Sequence, residues 1–478
     1  MHRQDNNINT NKHIYAIVKV FVVLFAILFV NMAYIQIYEA EALLKNPHNS
    51  HVIEKASEIR RGKILDRNGV VLADTQNTDK ADEFKRTYPY GQVFSTPLGY
   101  VSEKLGYAGI ESTANVYLSG NNMLFHALGP LAQVFEQNVG NDVHLTLDAN
   151  YQQAAYDALG DRKGAVVILN RKTGEILAMV SRPTFDSNSV DADWNTLNKD
   201  ENSPLLNRAT QGLYPPGSTI KPMVADGALT KQVTTPDEII NCNGALYINS
   251  SYSLSDSSGE VHGPTNLAAA IVNSCNVYFG TMGLRLKGDG LKETFSRFGY
   301  DQKLDTDFDN ADPKLPDFAN LSGGEIAQVG IGQATLLVTP LRMAMLAGTI
   351  GNQGVLMKPY MIKQVTNPAG SAIEDFQPQQ WLQASTPEMT QIIYNDMKNV
   401  IASGTGTRAA VPGIEMIGKT GTAQNSAGKD HAWFIGCANM PNEDIAFAVI
   451  VENSGFGGVE SAPVIKNILT NVLAKEGK

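Results

Sequence analysis

The stretch Tyr214-Pro215-Pro216-Gly217-Ser218-Thr219-Ile220-Lys221 contains the first of three short motifs that decide the fold and chemistry of this chain. Its Pro-Gly turn is expected to present Ser218 at a helix start, where free backbone N–H groups and the helix dipole favour developing negative charge. Lys221 follows three residues later, on nearly the same helical face. A serine hydroxyl is a weak nucleophile until a base removes its proton, and a buried lysine with a lowered pKa can be that base. The pair therefore predicts nucleophilic catalysis.

Two further motifs follow in order: Ser274-Cys275-Asn276, and Lys419-Thr420-Gly421-Thr422 on a predicted strand. Each pattern also occurs once elsewhere, where it is expected to lie in a loop or a hairpin turn: Ser426–Lys429, Ser119–Asn121 and Lys172–Gly174. A single match has a considerable false-positive risk. Only the set at 218, 274 and 419 falls in one domain with each motif on a suitable element, so these three predict one active site.

The fold is expected to be α+β. Five stretches have the alternation or β-branched content of strands and are separated by turn residues, which favours antiparallel neighbours: 164–170, 176–180, 416–423, 432–438 and 445–452. A helix is predicted from Pro463, with apolar residues at helical spacing, and another is predicted after Thr339-Pro340. Helices that pack on such a sheet make a layered α+β domain.

The chain has 478 residues, a length that suggests roughly three folded units. The alternation that resumes at Asp142 predicts that a large catalytic domain spans 142–478. The region 39–141 is mixed and turn-rich, and is expected to form a small accessory domain. Near its start, Asn68-Gly69 between two β-prone runs predicts a hairpin with a type I′ turn.

The N-terminus predicts a membrane anchor. The run from Ile14 to Ile35 has Lys19 as its only charge and is long enough to span a bilayer as a helix, which we place at 14–38. It is longer than the apolar region of a signal peptide and lacks a small-residue cleavage site after it. Basic residues before it and acidic residues after it predict a cytoplasmic tail at 1–13 and an outward-facing remainder.

Composition argues against several other classes of protein. The formal net charge of −10 disfavours a phosphate-binding surface, so no nucleic acid partner is expected. The three cysteines, Cys242, Cys275 and Cys437, are too few for a disulfide framework and lack zinc-motif spacing. The eight histidines are scattered. We therefore expect neither a metal site nor a cofactor.

The three catalytic motifs are those of penicillin-binding proteins and class A β-lactamases. Nearly all of the chain resembles the class B penicillin-binding proteins, through these motifs and through four further stretches: 61–72, 106–111, 330–333 with 339–340, and 433–436. The resemblance implies the penicillin-recognising serine transpeptidase fold, with an antiparallel sheet sandwiched by helices and an all-helical subdomain. It implies a D,D-transpeptidase of the bacterial cell membrane that cross-links peptidoglycan stem peptides and is acylated by β-lactams. It also implies an accessory domain of the pedestal or dimerisation type and a membrane glycosyltransferase partner of the SEDS family.

The resemblance also implies residue roles. Ser218 attacks the carbonyl between two terminal D-alanines, with Lys221 as base and Ser274 as the proton relay to the leaving amine. Asn276 holds the substrate amide and orients Lys221. The third motif binds the terminal carboxylate through Lys419, Thr420 and Thr422, with Gly421 between them, and the backbone N–H groups of Ser218 and Thr422 form the oxyanion hole.

Other functions share these motifs. A β-lactamase needs only about half this length and a base that activates water, and no such base is evident. A β-lactam sensor or silent scaffold could lack the lysine or the third motif, and both are present here. A D,D-carboxypeptidase, which passes the acyl group to water, stays open. A serine hydrolase with a nucleophile elbow is disfavoured because no Gly-x-Ser-x-Gly occurs.

Overall fold

The computed structural model describes residues 5–35, 60–78, 84–120, 139–250, 252–425 and 428–476. Its strands are β1 Ile64–Leu65, β2 Val71–Asn77, β3 Phe84–Thr87, β4 Val101–Ser102, β5 Gly106–Tyr107, β6 Asp142–Leu145, β7 Gly164–Asn170, β8 Ile176–Arg182, β9 Ile240–Cys242, β10 Ala245–Asn249, β11 Tyr252–Ser255, β12 Gly263–Thr265, β13 Val355–Met357, β14 Ile362–Thr366, β15 Ala372–Asp375, β16 Gln380–Gln383, β17 Met416–Ala423, β18 His431–Asn439 and β19 Asp444–Val451.

The α-helices are α1 Asp5–Tyr34, α2 Gln92–Leu98, α3 Gly109–Thr113, α4 Asn115–Leu118, α5 Ala149–Leu159, α6 Val190–Leu197, α7 Lys221–Thr230, α8 Leu267–Val272, α9 Asn276–Arg297, α10 Gly323–Gly330, α11 Pro340–Gly351, α12 Pro387–Ala402, α13 Gly457–Glu460 and α14 Ala462–Glu476. Short 3-10 helices lie at Gly217–Ile220, Ser257–Gly259 and Thr407–Ala409. Helix α9 is interrupted at Lys287, which has a φ of 57°.

A five-stranded antiparallel sheet, in the order β17-β18-β19-β7-β8, forms the centre of the large domain. Because successive side chains of a strand point to opposite faces, β7 contributes Val166 and Ile168 to one apolar layer and Val167 to the other. Helices α5 and α14 cover the first face, and α11 covers the second. This confirms the expected α+β sandwich, including the strands predicted at 164–170 and 416–423.

The expected helical subdomain is built from α7, α8, α9, α10 and α12 beside this sheet. It also contains two short antiparallel strand pairs: β9 with β12, and the hairpin of β10 and β11 between them in sequence. The helix predicted after Thr339-Pro340 is α11, and the Thr339 side chain accepts a hydrogen bond from Arg342 N at its start. The helix predicted from Pro463 begins one residue earlier, at Ala462.

A second, six-stranded sheet has the order β15-β14-β6-β1-β2-β3. Strand β1 lies between β2, with which it is antiparallel, and β6, with which it is parallel. The sheet therefore continues across position 141/142, where the sequence suggests a domain boundary. The hairpin predicted at Asn68-Gly69 is present as β1–β2, but the type I′ turn is wrong. A type I′ turn needs positive φ at both central residues, and only Gly69 has it, at 85°.

The N-terminal helix α1 contains a 21-residue stretch, Ile14–Tyr34, that is long and apolar enough to cross a membrane, with a mean hydropathy of 2.5. Its large apolar side chains are exposed, from Ile14 through Tyr34. A soluble core helix would bury them, so their exposure fits the predicted span. Residues 36–38 of that prediction lie outside the described part of the chain.

Candidate active site

Ser218 lies in the 3-10 helix that leads directly into α7, so the predicted helix start is present. The preceding loop is fixed at two points: Trp433 Nε1 donates to the Pro215 carbonyl at 3.0 Å, and Gly217 N donates to the Gly332 carbonyl at 2.9 Å. Gly217 has a φ of 54°, a conformation that glycine adopts without strain. Lys221 begins α7, which places Pro222 within the first turn, where its missing N–H has no helical partner.

The second motif lies in the connection between α8 and α9. Ser274 has a φ of 59°, which is uncommon for a residue with a side chain. Cys275 caps α9, and Asn276 is the first residue of that helix. A strained backbone conformation like that of Ser274 persists when surrounding contacts hold it, and such conformations cluster at functional sites.

Lys221 is fully buried and reaches the second motif. Its Nζ donates to the Ser274 carbonyl at 2.5 Å, to Ser274 Oγ at 3.2 Å and to Asn276 Oδ1 at 2.8 Å. Burial lowers the pKa of Lys221 to about 7, although the Asp256 carboxylate partly opposes this shift. A lysine in this state is close to half neutral at neutral pH, which suits a general base.

Lys419, on β17, approaches the same serine from the other side. Its Nζ donates to Ser274 Oγ at 2.8 Å and to the Thr420 carbonyl at 3.0 Å. The side chain is fully buried, and this burial, together with the nearby Lys221 charge, holds the pKa of Lys419 well below its usual range. The Ser274 hydroxyl thus contacts both lysines.

A cavity of about 1060 Å³ opens over these motifs. Six of the eight predicted site residues line it: Ser218, Ser274, Asn276, Thr420, Gly421 and Thr422. The other two are the buried lysines, which contact Ser274 from within the protein. The structure therefore brings the three motifs together around one cavity, although Ser218 and Lys419 are 201 positions apart in the sequence.

The alternative copies of the motifs lie elsewhere. Lys172-Thr173-Gly174 forms the turn between β7 and β8, and Lys172 pairs there with Asp444 at 2.5 Å. Ser119 is buried and donates to the Asn115 carbonyl. Asn121 and Ser426, which belong to the other two copies, lie outside the described residues.

Several residues of the site lie outside the three sequence motifs, so the motifs did not predict them. Asp256 is buried and accepts a hydrogen bond from Asn276 N. Thr405 Oγ1 lies 2.6 Å from Thr420 Oγ1, and both residues line the cavity. The contact of Gly332 with Gly217 depends on the conformation of two distant loops.

Asp256 also belongs to a group of possible metal ligands beside the cavity: Cys242, Asp256, His262 and Cys275. The predicted absence of a metal site rests on motif spacing alone and stays a prediction.

Residues 164–470 match the family described as the penicillin binding protein transpeptidase domain, which is more than half of the chain. The chain belongs to the penicillin-binding protein transpeptidase family. A second match, over residues 61–139, is to the penicillin binding protein A dimerisation domain. These matches confirm the resemblance to class B penicillin-binding proteins.

Two relatives of this chain are named as peptidoglycan D,D-transpeptidases. This penicillin-binding protein is 31% identical to peptidoglycan D,D-transpeptidase PbpA of Mycolicibacterium smegmatis, over 92% of this chain and 95% of the relative. It is 30% identical to peptidoglycan D,D-transpeptidase MrdA of Acinetobacter baumannii, over 79% of this chain and 64% of the relative.

Solved structures share the fold. The D,D-transpeptidase domain of a peptidoglycan glycosyltransferase from Eggerthella lenta has a TM-score of 0.80 at 31% identity, over 88% of this penicillin-binding protein and 99% of that chain. Penicillin-binding protein A from M. tuberculosis, solved as a ceftriaxone acyl-enzyme complex, has a TM-score of 0.79 at 28% identity, over 88% of this chain and 100% of that one.

Proposed function

We propose that this protein is a peptidoglycan D,D-transpeptidase that cross-links stem peptides through an acyl-enzyme on Ser218 and is acylated by β-lactams. The observation that carries the proposal is the convergence of three motifs on one hydroxyl, that of Ser274, at the wall of a cavity that also exposes Ser218. Membership of the penicillin-binding protein family and the names of the relatives support the same activity.

In the proposed acylation, Ser218 Oγ attacks the carbonyl carbon between the two terminal D-alanines. Lys221 accepts the hydroxyl proton. The carbon–nitrogen bond then breaks, an ester forms on Ser218, and the departing D-alanine amine takes up a proton. A neutral lysine has a lone pair, and Ser274 can donate its hydroxyl hydrogen to it while accepting from Lys419. Ser274 is therefore suited to pass the proton from Lys221 to the leaving amine.

The proposal assigns substrate recognition to the remaining predicted site residues. Asn276 keeps Lys221 in place and can hold the substrate amide, while Lys419 and the hydroxyls of Thr420 and Thr422 bind the terminal carboxylate. The backbone N–H groups of Ser218 and Thr422 form the proposed oxyanion hole. The two segments are close, since a Cβ on Gly217 would lie 2.6 Å from the Thr422 carbonyl oxygen. Each donor of such a hole typically contributes ~3–4 kcal/mol to transition-state stabilisation.

In the second half-reaction, the amine of another stem peptide attacks the ester carbonyl, loses a proton and releases Ser218. Peptidoglycan cross-links form only if this amine attacks the ester faster than water does. A carboxypeptidase and a β-lactamase form the same ester but transfer the acyl group to water. The partition after acylation therefore distinguishes the three activities.

The first experiment is labelling of the detergent-solubilised full chain with a fluorescent penicillin. We expect one covalent label, lost in Ser218→Ala and kept in Ser426→Ala, which alters the alternative serine–lysine pair. A label that persists in Ser218→Ala contradicts the assignment of the nucleophile.

The second experiment offers a stem-peptide donor with and without an amine acceptor. Cross-linked product that rises with acceptor concentration supports transpeptidation. Hydrolysed donor as the dominant product at every acceptor concentration indicates a carboxypeptidase instead. Rapid multiple turnover of penicillin, followed by intact mass, indicates a β-lactamase.

We further propose that the protein lies in the bacterial cell membrane and crosses it once. Lys12 and Lys19 near the start of the span, against Glu39 and Glu41 after it, support a cytoplasmic N-terminus. The proposed organisation is a tail at 1–13, the span at 14–38, an accessory domain at 39–141 and the transpeptidase domain at 142–478. Cysteine accessibility at positions on either side of the span tests the orientation.

The partner proposed from the family resemblance is a membrane glycosyltransferase of the SEDS family. The exposed apolar surface of α1 offers a helix face for contact within the bilayer. Photo-cross-linking from Ala26, in the middle of the span, tests this, because recovery of lipid adducts alone contradicts a helix–helix contact there.

A further inference from the structure

A carboxylate of the central sheet contacts the residue with which the first motif begins. Tyr214 directly precedes the loop Pro215–Ser218 and is buried. Its hydroxyl donates to Glu452 Oε1 at 2.7 Å, and Glu452 lies just after the end of β19. Burial, together with the nearby Glu452 carboxylate, raises the pKa of Tyr214, so this hydroxyl stays protonated and acts as the donor. A side-chain hydrogen bond therefore connects the loop of the nucleophile to the sheet.

Two cations hold the Glu452 carboxylate in place. Its Oε1 also accepts from Arg208 Nε at 2.8 Å, and its Oε2 lies 3.5 Å from Lys163 Nζ. The side chains of Arg208 and Glu452 are both buried. Hydrogen bonds to an ionised acceptor are roughly twice as strong as those between neutral groups. Glu452 is therefore a firm and fixed acceptor for the Tyr214 hydroxyl.

The contact with Glu452 adds to one that the loop already makes with the same sheet. Trp433, on β18, donates to the carbonyl of Pro215, and its ring lies edge-on to that of Tyr214, with centroids 6.1 Å apart. Tyr214 and Pro215 are successive residues. Contacts at both of them fix the direction in which the loop leaves the sheet as well as its position.

The next residue, Asn453, contacts the other half of the active site. Its backbone N–H donates to His431 Nδ1 at 3.2 Å. Burial lowers the pKa of His431, which leaves this ring nitrogen free to accept. His431 begins β18 and lies opposite Ala423 in the pairing with β17, one residue beyond Thr422. The pair 452–453 therefore contacts both the loop of the nucleophile and the strands of the third motif.

We propose that Glu452 is a positioning residue for acylation, which sets the spacing of the oxyanion-hole N–H groups on Ser218 and Thr422. This inference rests on the proposed function, because it concerns the same reaction. Glu452 holds one group through Tyr214 and the other through the adjacent Asn453. Both groups act on an oxygen whose negative charge develops in the transition state. A change in their spacing should therefore slow the chemical step more than it weakens substrate binding.

Pre-steady-state acylation of the detergent-solubilised full chain by penicillin tests the proposal. The dependence of the rate on penicillin concentration gives the Kd of the non-covalent complex and the limiting rate of acylation. We expect Tyr214→Phe and Glu452→Gln to lower the limiting rate at least fivefold and to change Kd less than twofold. A wild-type limiting rate in Tyr214→Phe overturns the proposal, as does a loss that lies entirely in Kd.

Two variants elsewhere in the chain separate positioning from a general loss of stability. Tyr300→Phe removes the hydroxyl of another buried tyrosine, which donates to the Arg342 carbonyl at 3.3 Å. Glu111→Gln removes another buried carboxylate that contacts two arginines. Both should acylate at the wild-type rate at a temperature well below their unfolding midpoints. If they slow the limiting rate as much as the variants of Tyr214 and Glu452 do, the effect is one of stability and the proposal is overturned.

A double variant tests whether the two residues act through their shared hydrogen bond. Tyr214→Phe combined with Glu452→Gln should acylate at about the rate of the slower single variant, because residues that act as a unit are not additive. Losses that multiply contradict action through this contact. Glu452→Gln leaves Arg208 without its carboxylate partner and can fail to fold. Tyr214→Phe keeps both charges, so its limiting rate decides the outcome in that case.

The same measurements distinguish failure of the inference from failure of the proposed function. If the wild type forms no penicilloyl ester on Ser218, the proposed function fails. If the ester forms and Tyr214→Phe acylates at the wild-type limiting rate, the positioning role of Glu452 alone is overturned.

Discussion

Lys419 Nζ lies 2.8 Å from Ser274 Oγ, which joins a strand of the central sheet to the connection between two helices of the other subdomain. The active site therefore straddles two packing units. Its geometry depends on how the sheet and the helical subdomain fit together, because neither unit contains both residues.

Lys419→Ala should slow penicillin acylation by about 10- to 100-fold, because a hydrogen bond to a charged group contributes ~1.5–3 kcal/mol. The measurement is the second-order rate of labelling. Lys172→Ala is the control, since Lys172 belongs to the other Lys-Thr-Gly sequence and its side chain is 64% exposed at a hairpin turn. Equal losses in the two variants would contradict the choice between the copies.

Acylation should accelerate as the pH rises through about 7. Burial lowers the pKa of Lys221 to about 7, so below that pH the amine is protonated and cannot accept the Ser218 proton. Labelling rates across this pH range measure the effect. A profile that is flat around pH 7 would argue against Lys221 as the base, and Lys221→Arg, which stays protonated, should abolish labelling at all of these pH values.

Gly332→Ala should slow labelling by about 10²-fold, because small displacements of reacting groups can have effects of that size. A Cβ at Gly332 would lie 2.1 Å from the Gly217 carbonyl oxygen and would displace the loop that presents Ser218. Gly370→Ala is the matched control for this variant. Gly370 also has a positive φ, but a Cβ added there would have no neighbouring atom within 4 Å. If both variants label at the wild-type rate, the loop contact has no role in catalysis.

Glu111→Gln should lower the free energy of unfolding by about 3–5 kcal/mol, the usual cost of removing one partner from a buried ion pair. Glu111 is fully buried and contacts Arg61 at 2.8 Å and Arg86 at 2.6 Å. Denaturant unfolding of the full chain in detergent gives the value. Glu293→Gln, which removes an exposed pair with Lys231, should leave stability nearly unchanged.

Local patterns in the sequence were sufficient for much of this site. The Ser218–Lys221 spacing depends on one helical turn, and the run at 416–423 has the composition of a buried strand, so each motif could be assigned to its element. The 3-10 helix at Ser218 and the positive φ of Ser274 could not be predicted, because both depend on contacts with distant segments such as the loop of Gly332.

Two larger features were beyond sequence reasoning for the same reason. The parallel pairing of β1 with β6 joins two segments that are far apart along the chain, so no local pattern predicts it. The group of Cys242, Asp256, His262 and Cys275 forms only when two pairs of strands fold against the start of α9, and its spacing matches no zinc motif.

The position of β1 between β2 and β6 determines how this protein can be truncated for biochemical work. A recombinant fragment that begins at Asp142 would retain β6 but lose β1, β2 and β3 from the same sheet. The N–H and C=O groups of β6 that pair with β1 would then form an open edge, a known route to aggregation. A soluble fragment that removes only α1 and begins before Arg60 would keep that edge paired.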